Sequence, residues 1–222
     1  MQPRWQKVVK DYAEALIIAL VLAFFIRSFV VQAFKIPSGS MLETLQVGDH
    51  LLVNKFVYGI KLPFTNTTII PVSDPEHGDI VVFKYPMEED IDYIKRVIGT
   101  PGDRIRIEDK QVYRNGKPID DPYAQHTDKH TYKMVCDGPP DGEGMGCPCR
   151  DNISEFTVPP GKYFMMGDNR DASKDSRCWG FVERKLIRGR AWMIYWSWAG
   201  IGDIRWGRIG ETMEELTAGE AD

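Results

Sequence analysis

Gly78-Asp79-Ile80-Val81-Val82-Phe83-Lys84-Tyr85 and Asp92-Tyr93-Ile94-Lys95-Arg96-Val97-Ile98 decide the fold. Both are short runs of β-branched and aromatic residues closed off by Gly, Pro or acidic residues, a pattern that predicts strands rather than helices. The pattern recurs at His50–Tyr58, Asp103–Glu108, Lys110–Arg114, Thr131–Cys136, Glu155–Val158, Lys162–Met166 and Arg190–Trp196, and Asn115-Gly116 supplies a tight turn. No long helical pattern alternates with these runs, which argues against a parallel α/β sheet. The expected class is mainly β, an antiparallel β-sheet domain over residues 35–210.

Before it lies a hydrophobic run from Ala13 to Phe34. Its unbroken core, Ala15 to Ile26, covers only about 18 Å as helix, short of the roughly 30 Å hydrocarbon core. The apolar pattern continues past Arg27 through Phe29, Val30, Val31, Ala33 and Phe34, and about 22 residues suffice for one span. A cleaved signal peptide is the alternative, with Val31-Gln32-Ala33 as a tolerable cut site. The chain runs straight from Phe34 into the segment that holds Ser40, which favours an uncleaved transmembrane helix over 13–34. Arg4, Lys7 and Lys10 keep residues 1–12 cytoplasmic and place the rest across the lipid bilayer.

The chain has 222 residues, 43% of them hydrophobic, enough for one large core or two small ones after the anchor. A net charge of -4 without a basic cluster argues against nucleic acid as partner. Glu211, Glu214, Glu215, Glu220 and Asp222 make residues 211–222 an acidic tail, expected to be solvated. Residues 120–152, rich in Gly, Pro, Asp and His, read as a surface insertion, β-rich through Thr131–Cys136. Trp192, Trp196, Trp198 and Trp206 suit either a bilayer interface or a core.

Cys136, Cys147, Cys149 and Cys178 allow three full pairings, and Cys147 is too close to Cys149 to suit it. Cys136 with one of that pair would staple a loop. A zinc site from His126, His130, Cys136, Cys147 and Cys149 has suitable ligand types, but its spacing matches no familiar zinc motif.

The local signatures of familiar hydrolases are missing, among them Gly-x-Ser-x-Gly, His-Glu-x-x-His and Ser-x-x-Lys. His50, His77, His126 and His130 sit in polar or turn-like contexts that assign none of them as a base. Lys95 is the better candidate. Strand alternation puts it on the face of Tyr93 and Val97, while Arg96 shares the other face with Ile94 and Ile98. A lysine base must titrate about 2 to 3 pH units below its ordinary value of about 10.4, roughly 3 to 4 kcal/mol, and burial can supply that. By spacing alone, a Lys-Arg pair on a strand is usually solvated.

Four blocks stand in order behind the anchor: Pro37-Ser38-Gly39-Ser40-Met41 with Thr44-Leu45, Gly78 to Phe83, Tyr93 to Gly99 with Pro101-Gly102-Asp103, and Gly167-Asp168-Asn169-Arg170-Asp171-x-Ser173-x-Asp175-Ser176-Arg177. Together they resemble bacterial type I signal peptidase over most of the chain. The resemblance implies Ser40 as nucleophile and Lys95 as general base, a Ser-Lys dyad. It further implies that Ser38 Oγ and the Ser40 N–H form the oxyanion hole, that Ser173 orients Lys95, and that Asp175 and Arg177 form a supporting ion pair. It places pocket walls at Phe34, Ile36, Met41, Leu45, Tyr93 and Ile94. The implied substrates are preprotein signal peptides cut after small residues, with no metal and no organic cofactor, at the bacterial cytoplasmic membrane. Glu43 stands where the family usually has proline and Ala172 where asparagine is frequent.

Two other classes fit parts of the pattern. A self-cleaving repressor-type peptidase also pairs Ser-Met with a downstream lysine, but needs a DNA-binding domain where this chain has a hydrophobic segment. A membrane-anchored β-domain that only binds exported proteins would leave Ser40 and Lys95 incidental.

Overall fold

The computed structural model describes residues 4–26, 30–61, 68–140, 149–200 and 202–218. Helix α1 (Arg4–Phe25) opens the chain. The strands follow as β1 (Val31–Lys35), β2 (Asp49–Asn54), β3 (Ile60–Lys61), β4 (Thr68–Ile70), β5 (Ile80–Tyr85), β6 (Glu88–Gly99), β7 (Arg104–Glu108), β8 (Gln111–Arg114), β9 (Lys117–Pro118), β10 (Ile153–Thr157), β11 (Lys162–Met166), β12 (Val182–Glu183), β13 (Ile187–Gly200) and β14 (Asp203–Ile204). Helix α2 (Ser176–Trp179) lies between β11 and β12, and α3 (Met213–Ala218) closes the described chain.

Every strand pair among the described residues is antiparallel. The main sheet runs β1-β2-β13-β5-β6-β11-β12, and a second sheet runs β10-β7-β8-β9. The two deciding runs are the neighbours β5 and β6. They read as continuous apolar runs because both of their faces are covered. Val81, Phe83 and Val97 pack with Met165 and Trp179, whereas Ile80 packs with Ile36, Met41, Leu45, Leu51 and Ile194. A third cluster, with Ile98, Phe164, Ile105 and Ile153, joins the main sheet to the second. Asn115 and Gly116 have φ of 54° and 80°, the doubly positive geometry of a tight hairpin turn between β8 and β9.

The expected continuous helical span 13–34 does not form. Helix α1 ends at Phe25, and Val31–Lys35 is instead the edge strand β1, with Phe34 opposite Leu51. Val31, Ala33 and Phe34 are therefore part of the β domain, which begins before residue 35. Among the described residues no helix is long and apolar enough to cross a membrane. Lys10, Asp11 and Glu14 occupy the first half of α1, while Leu16, Ile17, Leu20, Val21 and Phe24 leave its second half apolar and exposed.

Three smaller expectations also change. Thr131–Cys136 is irregular, with one bridge from Cys136 to Ile153, because side chains satisfy its backbone: the Tyr132 N–H donates to Asp151 and Asn152 Nδ2 donates to the Tyr132 carbonyl. Among its described residues the insertion is thus not β-rich. Residues 211–218 are not a free tail, since Thr212 and Glu215 form a reciprocal capping box and Met213 is buried in the core. Residues 219–222 lie outside the described set. The Trp residues are mostly not core: Trp192 and Trp206 are 50% and 69% exposed.

Cys136 pairs with Cys149, stapling the insertion, and Cys178 is disulfide-bonded as well. Cys136 and Cys149 are thereby removed as metal ligands, and among the described residues no group of three or more His, Cys, Asp or Glu is placed to hold a metal.

The centre of the main sheet tolerates no added bulk at Gly189, where a Cβ would lie 2.5 Å from the Asn54 carbonyl oxygen. Gly189→Ala is expected to destabilise the fold by about 2 to 3 kcal/mol through overpacking, read as a lower midpoint in urea unfolding.

Candidate active site

Ser40 sits in the turn that follows β1, and hydrophobic anchors fix that turn. Met41 and Leu45 are fully buried on its inner side, and the Leu45 N–H donates to the Met41 carbonyl at 2.7 Å. Segment 167–169 holds it from the other side. The Asn169 N–H donates to the Ser40 carbonyl at 3.2 Å, and Asn169 Nδ2 donates to the Gly39 carbonyl at 3.1 Å. Gly167 allows this approach, because a Cβ there would strike both the Ser40 carbonyl oxygen and Ser173 Oγ.

Lys95 comes from β6, opposite Val81 of β5. Its Nζ lies 2.7 Å from Ser40 Oγ and 3.0 Å from the Ile94 carbonyl, and the residue is only 4% exposed. Tyr93, two residues back on the same face, places its ring centroid 5.5 Å from Nζ. Burial lowers the Lys95 pKa to about 8, with Arg177 adding to the depression and Asp175 and Asp168 opposing it. A neutral amine is thus accessible near neutral pH.

Asp175 and Arg177 pair through Arg177 Nε and Nη2, at 2.9 and 2.8 Å from the two carboxylate oxygens. Burial of Asp175 alone would raise its pKa, but Arg177 and the Gly167 N–H outweigh it, so the carboxyl is held below its ordinary value. Ser173 is buried, and its hydroxyl lies near enough to Asp175 to help lower that pKa, although it makes no well-formed hydrogen bond. Ser38 is exposed in the bend before Ser40. Of the expected pocket walls, Ile36, Met41 and Leu45 are core residues, Ile94 packs against them, Tyr93 is half-buried beside Lys95, and Phe34 is half-buried on β1 opposite Leu51. Glu43 is exposed.

A second buried ion pair was not foreseen from the sequence. Arg96 Nε and Nη2 donate to the two oxygens of Asp168 at 2.8 and 2.6 Å, with both side chains 1% exposed. Thr44 Oγ1 also donates to Asp168 at 2.7 Å, and Arg96 Nη1 donates to the Gly78 carbonyl at 3.1 Å. Arg96 neighbours Lys95, Asp168 neighbours Asn169, and Thr44 follows Ser40 in the same turn. One ion pair therefore ties together the three segments that bear the site.

A serine hydroxyl and a buried lysine amine in contact, on an antiparallel β scaffold, form an arrangement that a serine peptidase can use. The family model "Signal peptidase, peptidase S26" matches residues 9–196. Signal peptidase I of Pseudomonas aeruginosa is 39% identical over 212 residues, covering 87% of this chain and 74% of its own length. Signal peptidase I of Aquifex aeolicus is 36% identical over 231 residues, covering 85% and 84%, and that of Haemophilus influenzae is 33% identical over 248 residues, covering 84% and 69%. The chain belongs to the peptidase S26 signal peptidase family.

A buried amine is costly to the fold when charged. With a pKa near 8 when folded and about 10.4 when unfolded, Lys95 binds more protons in the unfolded chain between those values, so its cost falls as pH rises through that window. Lys95→Met is expected to raise stability at pH 7 by about 1 to 3 kcal/mol, with the gain disappearing above about pH 10.5. Urea unfolding of both proteins at pH 7 and pH 10.5 checks this.

Proposed function

We propose that this chain is a membrane-bound signal peptidase in which Ser40 and Lys95 form the catalytic dyad. The carrying observation is the 2.7 Å approach of the buried Lys95 amine to Ser40 Oγ. Neutral Lys95 takes the proton from Ser40 Oγ as that oxygen bonds to the carbonyl carbon of the scissile peptide. Ser38 Oγ and the Ser40 N–H receive the oxyanion. Collapse breaks the C–N bond, and the Lys95 ammonium returns its proton to the departing amine of the mature chain. Lys95 then takes a proton from water as that water attacks the acyl-Ser40 carbonyl, and collapse breaks the C–Oγ bond while Lys95 returns the proton to Ser40 Oγ, releasing the signal peptide with a new C-terminal carboxyl group. Ser173, whose buried hydroxyl makes no well-formed hydrogen bond in this structure, is assigned to orient the Lys95 amine during the reaction, and the Asp175–Arg177 pair braces the segment behind it. No metal or organic cofactor enters these steps.

The substrates are preprotein signal peptides ending in small residues. Phe34, Tyr93 and Ile94, which keep partial exposure, would contact the residues before the cut, with the buried Ile36, Met41 and Leu45 supporting them from the core.

Anchoring in the bacterial cytoplasmic membrane goes through α1, with Arg4, Lys7 and Lys10 on the cytoplasmic side and the β domain outside. The exposed apolar half of α1 supports this, and exposed Trp192 and Trp206 suit contact with lipid headgroups.

Purified wild-type protein is expected to cleave a preprotein ending in Ala-x-Ala, while Ser40→Ala and Lys95→Ala lower kcat by at least about a thousandfold. Cleavage by either variant at the wild-type rate would refute the dyad. With the amine titrating near pH 8, the wild-type rate should fall about tenfold for each pH unit below that value. A flat profile from pH 8 down to pH 5 would exclude Lys95 as the base.

A further inference from the structure

Residues 121–128 begin the insertion, yet they pack against the back of the active site. The Tyr123 ring lies 3.6 Å from the Arg96 guanidinium carbon, and Tyr123 is 5% exposed. The Gln125 N–H donates to the Asp168 carbonyl at 2.8 Å, and the Arg170 N–H donates to the Gln125 carbonyl at 2.9 Å, so Gln125 runs as a one-residue parallel bridge beside Asn169. Asp121 pairs with the buried Arg170 at 2.6 Å, and the Asp128 N–H donates to Asp171 at 2.8 Å. These contacts fall on the residues flanking Asn169, whose N–H and side chain hold Ser40 and Gly39.

We propose that this arm is a positioning clamp for the active site and that Tyr123 is its key residue. The ring covers the face of Arg96, whose edge is committed to Asp168, and leaves the guanidinium a single orientation. Asp168 and Asn169 are then fixed relative to β6, and with them the Ser40 carbonyl relative to Lys95. Tyr123 touches no reacting atom. It acts by keeping the nucleophile and base in register, where a displacement of about 1 Å can cost about a hundredfold in rate.

The inference rests on the Ser40–Lys95 reading, so the test runs beside Ser40→Ala. In the membrane-anchored full chain, Tyr123→Ala and Tyr123→Leu are expected to lower kcat about 10- to 50-fold with KM changed less than about twofold. Tyr123→Phe and Tyr123→Trp keep a ring over Arg96 and should stay within about threefold of wild type. Met134→Ala, at an exposed position of the same insertion, should leave kcat unchanged. Rates are taken where urea unfolding shows each variant fully folded, and Tyr123→Leu, which fills the space without a π face, serves if Tyr123→Ala does not fold. The clamp is refuted if either folded variant keeps the wild-type kcat, if kcat falls only with the folded fraction, or if the aromatic replacements fail to restore it. Wild-type cleavage that survives Ser40→Ala would instead overturn the dyad reading.

Discussion

Arg96 and Asp168 meet across 72 residues of sequence with almost no exposure to water, and the site is built around that meeting. Removing two charges from water costs several kcal/mol per ion, recovered only when geometry is close and the remaining donors and acceptors are filled. Here they are filled. The guanidinium spends its edge on Asp168 and the Gly78 carbonyl and its face on Tyr123, and Asp168 takes a further hydrogen bond from Thr44. Burial opposes charging of Arg96, but Asp168 reverses that effect and keeps it protonated. Such a pair contributes less to net stability than to uniqueness, because few other arrangements satisfy all its partners.

The alternation of one strand makes this possible. Lys95 and Arg96 are consecutive on β6, so their side chains leave opposite faces of the sheet. One face receives a lysine with no bidentate carboxylate partner, and the amine loses its proton readily. The other receives an arginine that stays charged. Exchanging the two residue types would defeat both roles, since arginine does not deprotonate in this range and lysine cannot make the bidentate contact. The opposing influences on Lys95 are also balanced: Asp175 lies close enough to favour the ammonium, but Arg177 partly cancels it, so desolvation prevails.

The β class, the Asn115-Gly116 turn and the face occupied by Lys95 were legible because each depends on local pattern: strand period, turn chemistry and alternation. Lys95 and Ser40 were singled out jointly by the four ordered blocks, since a Lys-Arg pair on a strand is ordinarily solvated. What escaped was non-local. Nothing around Arg96 announces that its counter-ion lies in the Gly167–Arg170 segment, and nothing around Tyr123 reveals that its ring covers Arg96. Residues 120–152 looked like surface because they lack period, yet irregular backbone can be held by side chains, as Asp151 and Asn152 hold Tyr132. Val31 to Phe34 misled for the opposite reason. Continuous apolar sequence does not distinguish the end of a helix from an edge strand, and only pairing with β2 decides it.

That boundary alters how an anchor would serve the site. From Phe25 to Val31 the chain reaches at most about 20 Å, so the edge strand stays near the end of α1 whatever surrounds the helix. Burial within the β domain is the largest influence lowering the Lys95 pKa. The residue is 4% exposed, with Val81 of β5 opposite it and the Tyr93 ring beside its amine. On the proposed Ser40–Lys95 reading, the fold itself would supply much of the low-polarity surroundings that a lysine base needs. An anchor would then contribute delivery, by confining the search for a scissile bond to a surface, and the fold the proposed Ser40–Lys95 pair.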